Sequence, residues 1–200
     1  MLYLPVGGVW LIASRWGSEF LGFGEPIVLL TAAHFHFSGF VLPLLAGFAA
    51  RVLPGVHARV TVLGVVSGVP LVALGIALSP GGFRLLELLA TGWLFAATVL
   101  LAGLQFRVAG RSGDTPAALL LTLSGCSLVA AMMLAVTYAL GTFLGEFWLD
   151  IPTMVRFHAT SNVFGFALPG IASWFLVTLR PAQSKAPTAP ERRNCVASAR

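Results

Sequence analysis

Three histidines stand inside long apolar runs, and histidine is the side chain whose charge changes near neutral pH. Two fall in Thr31-Ala32-Ala33-His34-Phe35-His36-Phe37-Ser38-Gly39-Phe40. The third falls in Arg156-Phe157-His158-Ala159-Thr160-Ser161-Asn162-Val163-Phe164-Gly165-Phe166. An ionisable group in an apolar span is unfavourable enough to mark a functional site, unless it serves only as a span boundary or a helix–helix hydrogen bond. On a helix, His34 and His36 point about 200° apart. His34 then shares a face with Thr31 and Ser38, and His36 with Phe40 and Pro43. An unbroken helix therefore aims only one of them into a given pocket. His158 and Asn162, four residues apart, lie on one face. Gly165 and Pro169 continue that stripe, where a small residue admits a neighbouring helix or a ligand. At about 1.5 Å per residue, His34 sits roughly 10 Å, His36 roughly 13 Å and His158 roughly 8 Å below the same membrane surface.

Other polar residues join these three. Tyr138 near the end of its run is either a substrate-orienting hydroxyl or an interfacial anchor. Arg84 and Glu87 open another run, followed by Thr91, Thr98 and Gln105 roughly along one stripe. Glu87 is either half of a helix-start ion pair or an acid facing a cavity. Glu25 and Glu146 lie just outside the runs, as loop carboxylates or as lids over a pocket. His57 and Arg59 read as headgroup contacts at the opposite surface. Three of the four histidines, five of the seven acids and Tyr138 share one half of the runs, and the other half is nearly pure Leu, Val, Ala and Gly.

The elements that position these groups follow from composition. Of 200 residues, 58% are hydrophobic and only 10% charged, where soluble proteins carry about 25% charged residues. The mean hydropathy is +0.91. So few charges cannot cover a water-facing surface, and so apolar a chain is not disordered. The sequence predicts an all-α, polytopic transmembrane helical bundle of about six spans, near 2–16, 27–49, 58–79, 84–104, 117–142 and 153–178, the first one short. Residues 1–179 form the transmembrane domain, and 180–200, rich in Pro, Ala, Ser and Arg, read as a disordered basic cytoplasmic tail. The first segment lacks the basic flank and cleavage site of a signal peptide. If six segments cross, nine basic and two acidic residues fall on one side, and three basic and five acidic residues on the other. The basic side is then cytoplasmic, with both termini there. The net charge of +5 is thus explained by topology: the basic face meets anionic lipids, and nucleic acid is not needed as a partner. Cys126 lies in a span and Cys195 in the tail, so they form no disulfide framework. No internal repeat and no phosphate- or dinucleotide-binding loop is apparent.

The stretch from Phe23-Gly24-Glu25 through the first histidine pair to Pro43-Leu44-Leu45-Ala46-Gly47, and the later Met154-Val155-Arg156-Phe157-His158 through Asn162 to Pro169-Gly170, resemble the YndJ-like family of bacterial membrane proteins. The family typically has Gly after the last histidine, where this chain has Ala159, and its members are often longer at the N-terminus. The resemblance implies a polytopic bacterial cell-membrane protein and carries no settled activity.

A polar pocket open to the outer side over an apolar floor fits binding or catalysis better than conduction, which needs polar groups along the whole path. The expected function is cofactor-independent acid–base chemistry (isomerisation, cyclisation or epoxide opening) on a lipophilic small molecule. His34, His36 and His158 supply the acid and base, Asn162 and Tyr138 orient the substrate, and Glu87, Glu25 or Glu146 supplies a carboxyl group. Thr31, Ser38, Phe40, Arg156 and Phe166 complete the expected substrate contacts, with Phe35, Phe37 and Phe164 as apolar walls. The alternatives are a transporter or permease component with histidine proton or metal sites, and a haem- or metal-binding protein using His34, His36 and His158.

Overall fold

The computed structural model describes residues 3–179; the basic tail expected at 180–200 lies outside the described residues. The described chain is helical apart from an isolated bridge between Phe20 and Phe23. Six elements follow in order: α1 (Leu4–Arg15), α2 (Ile27–Val52), α3 (Val56–Gly81), α4 (Arg84–Ala109), α5 (Thr115–Leu144) and α6 (Ile151–Val177). Asp114 and Asp150 start α5 and α6 by accepting from the Ala117 and Thr153 amides, each with proline in the first turn. Gly145 stops α5 at φ +78°, in the left-handed region where a Cβ is disfavoured.

The last five helices are long and apolar enough to cross a membrane. With 26 residues or more each, they reach beyond the roughly 30 Å of a hydrocarbon core. α1 has 12 residues and spans only about 18 Å. It lies antiparallel along the first half of α2, with Gly7 against His36 and Tyr3 against Gly39. The Tyr3 hydroxyl donates to the Val66 carbonyl of α3 at 2.7 Å. Among the described residues α1 is shorter than a span, and five helices are of crossing length. One end of the bundle carries Arg51, Arg59, Arg107 and Arg111 against Asp114; the other carries Arg15, Arg84 and Arg156 against five acids.

α4 packs against α2, α3 and α5. Glu87, Thr91, Leu94, Thr98, Leu101, Gln105 and Val108 form its buried stripe, at the alternating three- and four-residue spacing of a helix seam. α3 meets α4 through Gly64, Gly68 and Gly75: a Cβ on Gly75 would lie 2.7 Å from the Glu87 Cα. Such close backbone approach is the usual packing currency of helices in lipid.

α6 is tied to α5 by three cross-helix hydrogen bonds. His158 Nδ1 meets the Ala131 carbonyl at 2.8 Å, the Ser124 hydroxyl donates to the Phe166 carbonyl at 2.9 Å, and the Ser173 hydroxyl to the Ala117 carbonyl at 2.8 Å. The α5 partners are seven residues apart and so share a face. The α6 partners are eight apart and then seven. In a regular α-helix eight residues overshoot two turns by about 80°. α6 absorbs the extra residue in π turns at Met154–Ala159 and Ser161–Ala167, and α2 has another at Phe37–Val41. The turns at 37–41 and 161–167 run into two similar pentads, Gly39-Phe40-Val41-Leu42-Pro43 and Gly165-Phe166-Ala167-Leu168-Pro169, which share Gly, Phe, Leu and Pro and differ at the third residue. This is a short internal repeat. Proline lacks the N–H that the carbonyl four residues earlier expects and crowds that carbonyl. The wider bonding runs up to each proline: the Leu42 amide donates to the Phe37 carbonyl and the Leu168 amide to the Val163 carbonyl, five residues back.

The basic half is less apolar than the sequence reading expects. Thr61, Thr98, Gln105, Ser124 and Ser173 are all fully buried there. Their donors are engaged internally: Thr61 donates to the His57 carbonyl and Thr98 to the Phe95 carbonyl, both at 2.8 Å, and Gln105 Nε2 donates to Ser124 Oγ at 3.2 Å, while Gln105 Oε1 is buried without a hydrogen-bond partner.

Two predictions follow from this packing. A Cβ on Gly165 would collide with the Ser127 side chain of α5, so Gly165→Ala should lower stability by about 1–3 kcal/mol, and adding Ser127→Gly should restore most of it. Thermal unfolding in detergent measures both, and a Gly165→Ala chain as stable as the parent would contradict the close approach. At the α6 start, the Thr153 amide (2.8 Å) and hydroxyl hold the Asp150 carboxyl below its ordinary value of 3.8. The cap is therefore fully present above that ordinary value and is lost as pH falls through the depressed folded one. Amide exchange at Thr153, corrected for its intrinsic pH dependence, should accelerate on acidification in the parent and not in Asp150→Asn.

Candidate functional site

His34 enters the bundle as the eighth residue of α2, after Ile27-Val28-Leu29-Leu30-Thr31-Ala32-Ala33. Its Nε2 is buried without a hydrogen-bond partner. The residue lines a cavity of about 250 Å³ between α1, α2 and α3, with Trp10, Phe23, Thr31, Phe35 and Ile76 among the walls. Trp10 is fixed by an edge-to-face contact with Phe20, ring centroids 4.8 Å apart. Leu21 and Ile76 are exposed at the rim. The cavity is thus apolar, with one imidazole and one hydroxyl as its polar groups.

His36, two positions on, goes elsewhere as the helical spacing requires. Its Nδ1 meets the Ala32 carbonyl at 2.7 Å, and its ring lies against Gly7 of α1. His34 and His36 do not share a pocket. Across the bundle, His158 of α6 is the electrostatic neighbour of His34. Its Nδ1 faces the Ala131 carbonyl, an acceptor only, so Nδ1 carries the proton and donates. Its Nε2 then accepts from Asn162 Nδ2 at 3.1 Å, and the same amide donates to the His158 carbonyl at 2.9 Å. Both ring nitrogens are satisfied, and the network holds one neutral tautomer.

The two helices use one local device. In α2 the Ser38 hydroxyl donates to the His34 carbonyl, as Asn162 does to the His158 carbonyl. Each polar side chain stands four residues after its histidine, where the helix begins to widen. The rings differ: His158 is held at both nitrogens, and His34 Nε2 is left unpartnered.

Glu87 and Tyr138 form a second cluster at the same end. Glu87 is buried and is bonded by Ser79 at the end of α3, beside Arg84. Tyr138 of α5 is its electrostatic neighbour. The sequence reading groups these two with the histidines. The structure brings Glu87 to Tyr138 and His34 to His158, each pair on different helices.

Of the expected substrate contacts, Thr31 lines the cavity. Ser38 turns its hydroxyl to the backbone, Phe40 packs on the core, and Phe166 is buried with its carbonyl bound by Ser124. Glu25, Glu146 and Arg156 are exposed, with Arg156 stacked 5.4 Å above the Phe157 ring. Phe35 forms a wall, while Phe37 and Phe164 face outward. Sequence reasoning misses Trp10, Phe23 and Ile76 because α1 and α3 reach the cavity only through tertiary packing; Trp10, a large aromatic in a glycine-bearing short helix, is the one signal that points to it. Among the described residues, no group of three or more His, Cys, Asp or Glu side chains is placed to hold a metal ion.

Comparison with known proteins gives two findings. The family model described as YndJ-like protein matches residues 1–166. An uncharacterised membrane protein, YndJ of Bacillus subtilis (strain 168), is 32% identical over 184 residues, covering 90% of this chain and 32% of the relative. The chain thus spans about a third of that relative's length. No solved structure matches.

The tautomer of His158 is directly testable. In protein carrying ¹⁵N-labelled histidine, its Nδ1 should resonate as a protonated nitrogen and Nε2 as an unprotonated one at neutral pH. Asn162→Leu should shift Nε2 and weaken the α6 start by about 1 kcal/mol. A protonated Nε2 in the parent would overturn the assignment.

Proposed function

The chain belongs to the YndJ-like family, and from that premise we propose that this integral membrane protein binds a lipophilic small molecule, or the end of a lipid chain, in the α1–α2–α3 cavity and acts on it by acid–base chemistry through His34. The observation that carries the reading is the unpartnered, buried Nε2 of His34 beside an apolar cavity. A buried polar atom without a partner is unfavourable, and a substrate hydroxyl, carbonyl or epoxide oxygen is the partner that would complete it. The volume, about 250 Å³, falls just below the 300–1,000 Å³ of drug-sized sites, so it suits a small group rather than a large ligand.

His158 and Asn162 take a positioning role here. Their closed network keeps His158 neutral beside His34, so the pair carries no second fixed charge, and His34 is the group left able to gain or lose a proton. Glu87 and Tyr138 belong to a separate cluster on α4 and α5. The hydroxyls buried in the basic half donate to backbone carbonyls, which favours a closed floor over a transport path. The four arginines at that end favour a cytoplasmic orientation for it.

Binding and chemistry separate experimentally. With Trp16, Trp93, Trp148 and Trp174 replaced by Phe, a bromoalkyl probe should quench the fluorescence of Trp10, and equally so in a His34→Ala background. Membranes containing the wild-type chain should convert at least one apolar component of a cellular lipid extract, read by mass spectrometry, and His34→Ala should slow that conversion about 10²–10⁴-fold. Absence of quenching defeats the binding reading. Quenching with unchanged conversion in His34→Ala defeats the acid–base reading alone.

A further inference from the structure

At the opposite end of the bundle, the α2–α3 link and the end of α4 border a second cavity, of about 260 Å³. Its polar side chains are His57, Arg107 and Arg111, and no carboxylate lines it. Among the described residues neither arginine has an ion pair, and the Asp114 side chain at this end accepts from the Ala117 amide to start α5. Arg107 stands in the last turn of α4 and Arg111 in the turn that follows it. The cavity also meets the start of α3 at Gly55, His57 and Ala58, where no side chain caps the first amides. Two exposed guanidinium groups, an exposed imidazole and helix-start amides without a side-chain cap line one open cavity, and each of these donors favours an oxyanion.

The surroundings narrow the source of that oxyanion. Val52, Val56 and Val60 stand exposed around the cavity on α2 and α3, at 48%, 73% and 50% of their full surface. An apolar flank beside a cationic cavity matches a headgroup phosphate with its acyl chains lying on the helices. We propose that this cavity is a phosphate-binding site for an anionic phospholipid, held by Arg107, Arg111 and His57. Arg51 and Arg59 flank it and contribute only diffuse positive potential.

Delipidated full-length chain in neutral detergent provides the test, with thermal stability as the readout. Titration with short-chain dihexanoyl phosphatidylglycerol should raise the midpoint saturably, and Arg107→Gln/Arg111→Gln should shift the half-saturating concentration upward at least tenfold. Arg51→Gln/Arg59→Gln should shift it less than threefold. Inorganic phosphate should give a weaker effect at the same arginines, because it lacks the acyl contact; an equal effect at equal concentration would keep the phosphate site and assign it to free phosphate. Because both arginines are exposed and neither has an ion pair among the described residues, the ligand-free midpoint of Arg107→Gln/Arg111→Gln should match the parent's, which separates lost binding from lost folding. No saturable stabilisation of the parent by lipid or phosphate, or an equal loss in both double variants, would overturn the proposal.

Discussion

Two prolines inside membrane helices dictate much of this structure. Pro43 and Pro169 each remove a backbone donor where there is no water to replace it, which takes from the carbonyls of Gly39 and Gly165 their usual helical partner. Immediately before each proline the helix widens to i→i+5 bonding, the Leu42 amide donating to the Phe37 carbonyl and the Leu168 amide to the Val163 carbonyl. The glycine at each of these carbonyls also lets a neighbour approach: Tyr3 of α1 lies on Gly39 and Ser127 of α5 on Gly165. In α6 the widening absorbs one residue, so that His158 and Phe166, eight apart, both meet partners seven apart on α5. Without that extra residue in the turn, one of the two bonds would rotate off the shared face.

The same geometry explains why two histidines in similar settings end up chemically different. Each stands before a π turn, and each has its carbonyl bound by a polar side chain four residues on. Asn162 has a second amide hydrogen to give and uses it on the His158 ring. Ser38 has a single hydroxyl hydrogen, already placed on the His34 carbonyl, and so cannot reach the His34 ring as a donor as well. Ser against Asn at equivalent places is therefore enough to leave one imidazole open and close the other.

Much of this was legible in the residues. The spans follow from apolar length, the buried stripe from Glu87 to Gln105 follows from spacing, and the opposition of His34 and His36 and the pairing of His158 with Asn162 follow from helical angles. What was not legible depends on packing between segments distant in sequence. Nothing in residues 2–16 says that Tyr3 packs level with Gly39, because length alone does not fix depth. Trp10 and Ile76 become cavity walls only when α1 and α3 close on α2. Glu87 is the electrostatic neighbour of Tyr138, on another helix, and spacing within one run does not say which helix an acid will face. Ser124 and Ser173 escape notice because a hydroxyl bonded to a carbonyl barely perturbs hydropathy.

The packing of α1 on α2 sets the character of one end. It brings Gly7 against His36 and Tyr3 against Gly39, and walls the His34 cavity with Trp10. Beyond that level the surfaces of α2 and α3 carry Val52, Val56, Val60 and Leu63 in the open. In a bilayer an exposed apolar strip needs no protein cover, since lipid chains solvate it as well as another helix would. It leads at one end to the cavity that Arg107 and Arg111 line. α2 thus carries two settings on one helix: a stretch packed by protein, where the His34 Nε2 is kept from water, and a stretch toward Val52 whose apolar side chains stand exposed beside cationic groups.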